Sequence, residues 1–115
     1  MKVQGDPQSP PIGGFLGYDL ASNASLTSGI GSTPVEHIAS GSYLWALVAG
    51  AWNSSTIKLQ YLGPDEATWL DAKDSAGNTA QMTANGQLGV VVGGNATLRL
   101  VPTGGSPTGV YSKLS

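Results

Sequence analysis

Apolar and polar positions alternate along much of the second half of the chain. The segment TIKLQYL, residues 56–62, places Ile57, Leu59 and Tyr61 on one side and polar side chains on the other. The segment NATLRLVP, residues 95–102, alternates in the same way. A period of two residues is typical of a half-buried β-strand. By contrast, YLWALVAG at residues 43–50 is continuously apolar, which predicts a strand buried on both faces.

Turn-forming residues separate these segments. GPDEA, DSAGN and several Gly-rich stretches lie between the apolar runs, and Asn85-Gly86 predicts a hairpin because both residues tolerate positive φ. About seven short strands at roughly ten-residue spacing are typical of an antiparallel sandwich or barrel. We therefore predict an all-β, jelly-roll-like fold. PVEHIA, residues 34–39, predicts one short helical turn, since Pro suits a first helical position and Glu the first turn.

The first 42 residues differ from the rest. They are rich in Pro, Gly and Ser, and the prolines at positions 7, 10 and 11 favour an extended chain. They also hold more apolar side chains than a solvated linker would carry. We interpret residues 1–42 as an extended N-terminal arm and residues 43–115 as the β-sandwich domain. An irregular start to the sandwich is the alternative for the first segment.

Composition supports a β-rich domain and excludes several partners. The 115 residues fit one domain, and charged residues are only 10%, against roughly 25% in an average domain. The 17 glycines and many hydroxyl side chains favour turns and strand edges over surface helices. The net charge is −2 with scattered basic residues, so we expect no nucleic-acid partner. We also expect no membrane partner, because the chain has neither a long apolar run nor the apolar region of a secretory signal.

The side chains that carry chemistry are few. The chain has no cysteine, which excludes disulfides, thiolate metal sites and cysteine nucleophiles. The sole histidine, His37, has no nucleophile motif around it. Asp65, Glu66, Asp71 and Asp74 fall within one hairpin and its following turn, where acids could act on a glycoside or hold calcium. Acids in such turns more often bond the local backbone. We therefore predict no catalytic residue, metal or cofactor.

Aromatic residues raise the question of sugar binding, since sugar-binding modules stack aromatic rings on pyranose rings. Trp45 and Trp69 fall within strand patterns, so we expect both in the core. Trp52 follows the apolar strand and is a better candidate for an exposed platform, with Tyr61 second. These two residues are the stacking candidates for a carbohydrate- or receptor-binding module.

A set of turns and strands from residue 41 onward resembles small bacteriophage virion proteins that decorate or cement capsids. The pattern consists of a Gly-Tyr strand, an LQ-x-L-G-P-D hairpin with a Trp after the turn, an ANG turn, a Gly-rich edge and a closing PTG segment with a Tyr. These segments are Gly41–Tyr43, Leu59–Trp69, Ala84–Gly86, Gly93–Arg99 and Pro107–Tyr111. The pattern also resembles phage head-fibre and tail-associated proteins.

The resemblance implies a protein that is not an enzyme, is made in the host cytoplasm and sits on the outer capsid surface of the virion. Such a protein bridges neighbouring major capsid protein subunits, and it commonly forms a homo-oligomer, most often a trimer. An extended arm could add a strand to an exposed sheet edge of the capsid protein. The residues we expect at capsid or subunit contacts are apolar and lie in the arm: Pro10, Pro11, Ile12, Phe15, Leu16, Tyr18 and Leu20.

Two other classes compete with this interpretation. A carbohydrate- or receptor-binding module of a phage tail or head fibre would use Trp52 and Tyr61. A hydrolase would use Asp71 or His37, and nothing in the sequence favours it.

Overall fold

The computed structural model describes residues 17–115, which form nine β-strands and no helix. Roughly seven strands were expected from the turn spacing. The two added strands, β1 and β2, come from the segment interpreted as an arm. The strands are β1 Tyr18–Ala24, β2 Val35–Ile38, β3 Gly41–Ala51, β4 Thr56–Leu62, β5 Trp69–Asp71, β6 Gln81–Met82, β7 Gly86–Val92, β8 Ala96–Thr103 and β9 Thr108–Leu114.

The strands form two antiparallel sheets packed together, so the prediction of an all-β antiparallel sandwich is confirmed. The first sheet has the order β1-β9-β3-β7. The second has the order β2-β8-β4-β5, and β6 pairs with β4. The chain changes sheet at every connection except those joining β4, β5 and β6. Most neighbours within a sheet are therefore distant in sequence.

The core lies between the sheets and is built from alternate positions of each strand. Trp45 is its largest fully buried side chain. The Trp45 indole N–H donates a hydrogen bond of 2.9 Å to Ser112 Oγ, which in turn donates one of 3.0 Å to the carbonyl of Ala46. Because a buried polar group is costly when it has no partner, this chain of bonds is what permits a tryptophan at the centre of the core.

The structure corrects the predicted boundary of the arm. β1 pairs with β9 and β2 pairs with β8, so residues from Tyr18 onward belong to the two sheets. Leu20 is only 5% exposed and lies in the core, and Tyr18 packs against the core and accepts a hydrogen bond from Ala39 N at 3.0 Å. The alternative interpretation, an irregular start to the sandwich, describes this segment. Pro10, Pro11, Ile12, Phe15 and Leu16 lie outside the described residues.

Two local predictions are also wrong. PVEHIA contains the strand β2 instead of a helical turn, because Val35 and Ile38 pair with β8. Asn85-Gly86 does not close a hairpin, because it joins β6 of the second sheet to β7 of the first. Neither residue has positive φ. The Asn85 side-chain oxygen instead accepts hydrogen bonds from Ala49 N at 3.0 Å and from the Trp52 indole at 2.9 Å.

Candidate functional site

The outer face of the first sheet exposes large apolar side chains. Leu44 and Val48 of β3 are each 48% exposed, and Tyr111 of β9 is 51% exposed. Val48 and Tyr111 are directly paired across the two strands. We call the surface formed by Leu44, Ala46, Val48 and Tyr111 the open face. The prediction that β3 is buried on both faces is therefore wrong, since only its inward side chains are buried.

Charge is nearly absent from the open face. The four strands of the first sheet contain only two charged residues, Asp19 and Lys113, which are paired with each other across β1 and β9. Tyr111 was not predicted from the sequence to be a surface residue. A signal was present in VYSKL, where Tyr111 and Lys113 share one side of the strand and Ser112 falls on the other.

The outer face of the second sheet is polar and internally bonded. Arg99 donates hydrogen bonds of 3.1 and 3.0 Å to Gln60 Oε1, and Gln60 Nε2 donates one of 2.9 Å to Asp71. Lys58 Nζ lies 3.4 Å from the Asp71 carboxylate. The Arg99 guanidinium lies 4.2 Å from the centre of the Trp69 ring. Trp69 is thus on the outer face, and the prediction that it faces the core is wrong.

The network stabilises the negative charge of Asp71, whereas partial burial disfavours the positive charge of Arg99. The hydrogen bond from Gln60, and to a smaller extent Lys58, lower the pKa of Asp71 below its usual value. Burial lowers the pKa of Arg99. Asp71 is therefore a carboxylate held ionised by partners on its own sheet, an arrangement that suits structural support better than proton transfer.

Two of the four acids, Asp65 and Asp74, bond the local backbone at turns, as the sequence predicted, whereas Asp71 lies in β5. Asp65 accepts hydrogen bonds from the backbone N–H groups of Ala67 and Thr68 and from the Thr68 hydroxyl. These bonds, with the Thr68 hydroxyl first, lower the pKa of Asp65 to about 2. Asp74 Oδ1 accepts bonds of 2.9 Å from the backbone N–H groups of Ala76 and Asn78. Both acids are turn residues.

A cleft of about 840 Å³ opens between the two sheets. One wall comes from β4 and the turn that follows it, including Tyr61, Pro64 and Glu66. The other wall comes from β7 and the loop at residues 93–95. Val91, 68% exposed on the edge strand β7, borders both the cleft and the outer surface of the first sheet. Tyr61, one of the two stacking candidates predicted from the sequence, is 38% exposed and lines this cleft.

The rim of the cleft carries polar residues in unusual backbone conformations. His37 Nδ1 lies 3.1 Å from Asn95 Oδ1, and Glu36 borders the same opening. His37, Asn95 and Glu66 have φ values of 62°, 55° and 58°. Non-glycine residues with positive φ are uncommon, but three others lie away from the cleft, so this conformation is not confined to the rim. Asn95 in the GGN turn is of a type that tolerates this conformation, but no sequence signal predicts it at His37 or Glu66.

Trp52, the other stacking candidate, lies away from Tyr61. Trp52 precedes the start of β4, whereas Tyr61 lies near its end. The Trp52 ring is partly buried against the core, and its N–H is bonded to Asn85. The structure therefore places the two candidates in different environments, and only Tyr61 lines the cleft.

No group of three or more His, Asp or Glu side chains within residues 17–115 is arranged to hold a metal ion. Nor does the described part of the chain contain a helix with the length and apolarity needed to span a membrane. Comparison of the chain with protein-family models, curated proteins and solved structures gives no match.

Proposed function

We propose that this protein is a non-enzymatic structural component of a phage virion that decorates the outer capsid surface and cements neighbouring major capsid protein subunits. The observation that carries the proposal is the open face: a cluster of exposed apolar side chains on the outer surface of the first sheet, beside the only two charged residues of its strands, Asp19 and Lys113. Contiguous exposed apolar surface is typical of an interaction site, and the centres of protein interfaces are depleted of charge.

The strand order supports a jelly roll as the finer description of the fold. A jelly roll consists of two packed antiparallel sheets of four strands with Greek-key connections, and viral capsid and lectin domains use it. The orders β1-β9-β3-β7 and β2-β8-β4-β5 fit this plan if β6 is counted as an addition beside β4. The fold is thus compatible with a virion role, although one fold serves many functions.

The contrast between the two outer surfaces favours the first sheet for docking. On the second sheet, Arg99, Gln60 and Asp71 already bond one another, so a partner would have to break these bonds or desolvate charges. On the first sheet, Val48 and Tyr111 expose apolar surface, so a partner that covers them does not have to break such a network. We assign the major capsid protein to the open face.

We propose that the N-terminal residues make the second contact with the capsid. A decoration protein must engage two neighbouring subunits, and Pro10, Pro11, Ile12, Phe15 and Leu16 remain our proposed contacts to the second subunit. Copies repeated on a lattice would hold through multivalency, even if each contact is weak. We further propose that the protein acts as a homo-oligomer, a trimer by analogy with the proteins it resembles.

Cosedimentation with phage capsids lacking this protein tests the proposal. We expect the wild-type protein to bind and Val48→Lys to bind far less, because a lysine would place a charge at the centre of the contact. Ile30→Lys is the matched control, since Ile30 is an exposed apolar residue in the β1–β2 loop. Equal binding by Val48→Lys and the wild type would remove the open face from the proposal. No binding by the wild type would reject the capsid role.

A further inference from the structure

The position of Tyr61 is unusual for a residue on the inner side of a sheet. Tyr61 shares its side of β4 with Ile57 and Leu59, which are fully buried, and it pairs with the buried Leu98 of β8. Tyr61 is nevertheless partly exposed, because the cleft opens between the sheets at this end of β4. Tyr61 therefore places an aromatic ring on the wall of the cleft.

Polar groups line the rim of the same cleft. With His37 Nδ1 donating to Asn95 Oδ1, the Asn95 amide nitrogen keeps hydrogens to donate, and His37 Nε2 faces the Glu36 carboxylate at 3.8 Å. Both members of the pair have positive φ, and the hydrogen bond between them joins β2 to the loop that precedes β8. A cavity that combines apolar lining with a few polar groups is the usual design of a small-molecule site.

The cavity volume and charge restrict the ligand class. The volume of about 840 Å³ lies within the roughly 300–1,000 Å³ of ordinary ligand sites. Three acidic residues, Glu36, Glu66 and Asp74, line the cleft, against one lysine, Lys73. This excess of carboxylates disfavours phosphorylated or carboxylated ligands.

We propose that the inter-sheet cleft binds a neutral pyranose sugar, with the Tyr61 ring packed against one face of the sugar and the His37–Asn95 pair bonded to its hydroxyl groups. The C–H groups on a pyranose face carry partial positive charge and are attracted to the negative face of an aromatic ring. Hydroxyl groups both donate and accept, which matches the Asn95 amide and the Glu36 carboxylate. This site is separate from the open face and does not depend on the capsid role.

Saturation-transfer NMR and calorimetry with the methyl pyranosides of glucose, galactose, mannose and N-acetylglucosamine test the proposal. We expect at least one of these sugars to bind and N-acetylneuraminic acid, which is anionic, not to bind. Tyr61→Ala is expected to weaken binding by about tenfold, whereas Tyr61→Phe keeps the ring and stays near the wild-type affinity. Tyr111→Ala, which removes an exposed tyrosine from the open face, is the matched control and leaves affinity unchanged.

Asn95→Gly gives an independent check that does not touch the core. Glycine accepts the positive φ of this position and removes only the amide, so the variant should fold and bind the sugar several-fold more weakly. Absence of binding by all four neutral pyranosides would overturn the proposal. Undiminished binding by Tyr61→Ala, or a preference for N-acetylneuraminic acid, would overturn it as well. Capsid cosedimentation of the same Tyr61→Ala protein tests the capsid proposal independently of sugar binding, because Tyr61 is not part of the open face.

Discussion

Val48 of β3 and Tyr111 of β9 face each other across the middle of the first sheet, with both side chains on its outer surface. Directly paired antiparallel residues contact each other, so the two side chains form one apolar unit. Their neighbours in the same strands, Leu47 and Val110, are fully buried on the other side. The outer face of the first sheet therefore carries an apolar patch, with Lys113 beside it opposite Ala46, and none of the residues that the structure describes covers this patch.

The first prediction concerns self-association through this unit in the absence of capsids, when the proposed capsid-binding surface is uncovered. At high protein concentration, Val48→Lys and Tyr111→Lys should sediment as smaller species than the wild type, because each places a charge on the apolar surface. Their free energies of unfolding in urea should stay within about 0.5 kcal/mol of the wild type, since the side chains point to solvent. Sedimentation velocity measures the association. Identical profiles for Val48→Lys, Ile30→Lys and the wild type would show that the open face does not join copies of the chain.

The second prediction concerns the hydrogen bond at the centre of the core. Ser112→Ala removes the acceptor of the buried Trp45 indole N–H, so the free energy of unfolding should fall by about 1–3 kcal/mol. Urea denaturation followed by tryptophan fluorescence measures the change. Ser42→Ala on the exposed side of β3 is the matched control and should be nearly neutral. A neutral Ser112→Ala would mean that the indole finds another acceptor.

The third prediction concerns the acid dependence of the β4–β5 turn. The folded pKa of Asp65 is lowered from 3.8 to about 2, so the turn favours the ionised form. The resulting stabilisation is fully present above pH 4, and it is lost as the pH falls through the folded pKa near 2. Carboxyl NMR titration should give this low pKa, and Thr68→Val, which removes the hydroxyl donor, should raise it. An Asp65 pKa near 4 in the wild-type protein would contradict the hydrogen-bond geometry.

The sequence predicted the strands that alternate, and it could not predict which sheet each strand joins. Residues 56–62 and 96–103 are strands in the structure, as the period of two indicated. Asn85-Gly86 carries a strong local hairpin signal, yet it crosses between sheets because β7 pairs with the distant β3. Pairing of this kind depends on contacts far apart in sequence, which a local pattern does not contain.

The candidate sites show the same limit. Tyr61 was singled out for its aromatic ring, but its exposure results from the opening between two sheets, and no local pattern specifies that opening. Leu44 and Val48 belong to a continuously apolar segment, which is typical of a strand buried on both sides. Their exposure depends on the position of β3 in the first sheet, and the segment itself does not contain that information. The turn acids were interpreted correctly because the bonds of Asp65 and Asp74 are made within four residues in the sequence.

The fourth prediction compares two glycines. A Cβ added at Gly105 would lie 1.9 Å from the carbonyl oxygen of Asn53, so Gly105→Ala must displace backbone and should cost about 1–3 kcal/mol of stability. A Cβ at Gly93 meets nothing within 4 Å, and its φ is not positive. Gly93→Ala should therefore be neutral or stabilise by up to about 1 kcal/mol, since it restricts the unfolded chain. Thermal and urea unfolding of both variants provide the comparison, and equal stability of the two would contradict this close contact.

The fifth prediction separates folding from capsid attachment at the N-terminus. Deleting residues 1–16 removes none of the strands from β1 to β9, so the shortened protein should keep the wild-type unfolding midpoint. Deleting residues 1–20 also removes Leu20 from the core and Tyr18 and Asp19 from their pairing with β9, so this protein should be clearly less stable. Circular dichroism melts measure the stability of both shortened proteins.

If Pro10 to Leu16 reach a second capsid subunit, the protein lacking residues 1–16 should fold normally and yet fail to cosediment with capsids. Normal cosedimentation of that protein would mean that the open face alone attaches the protein to the capsid.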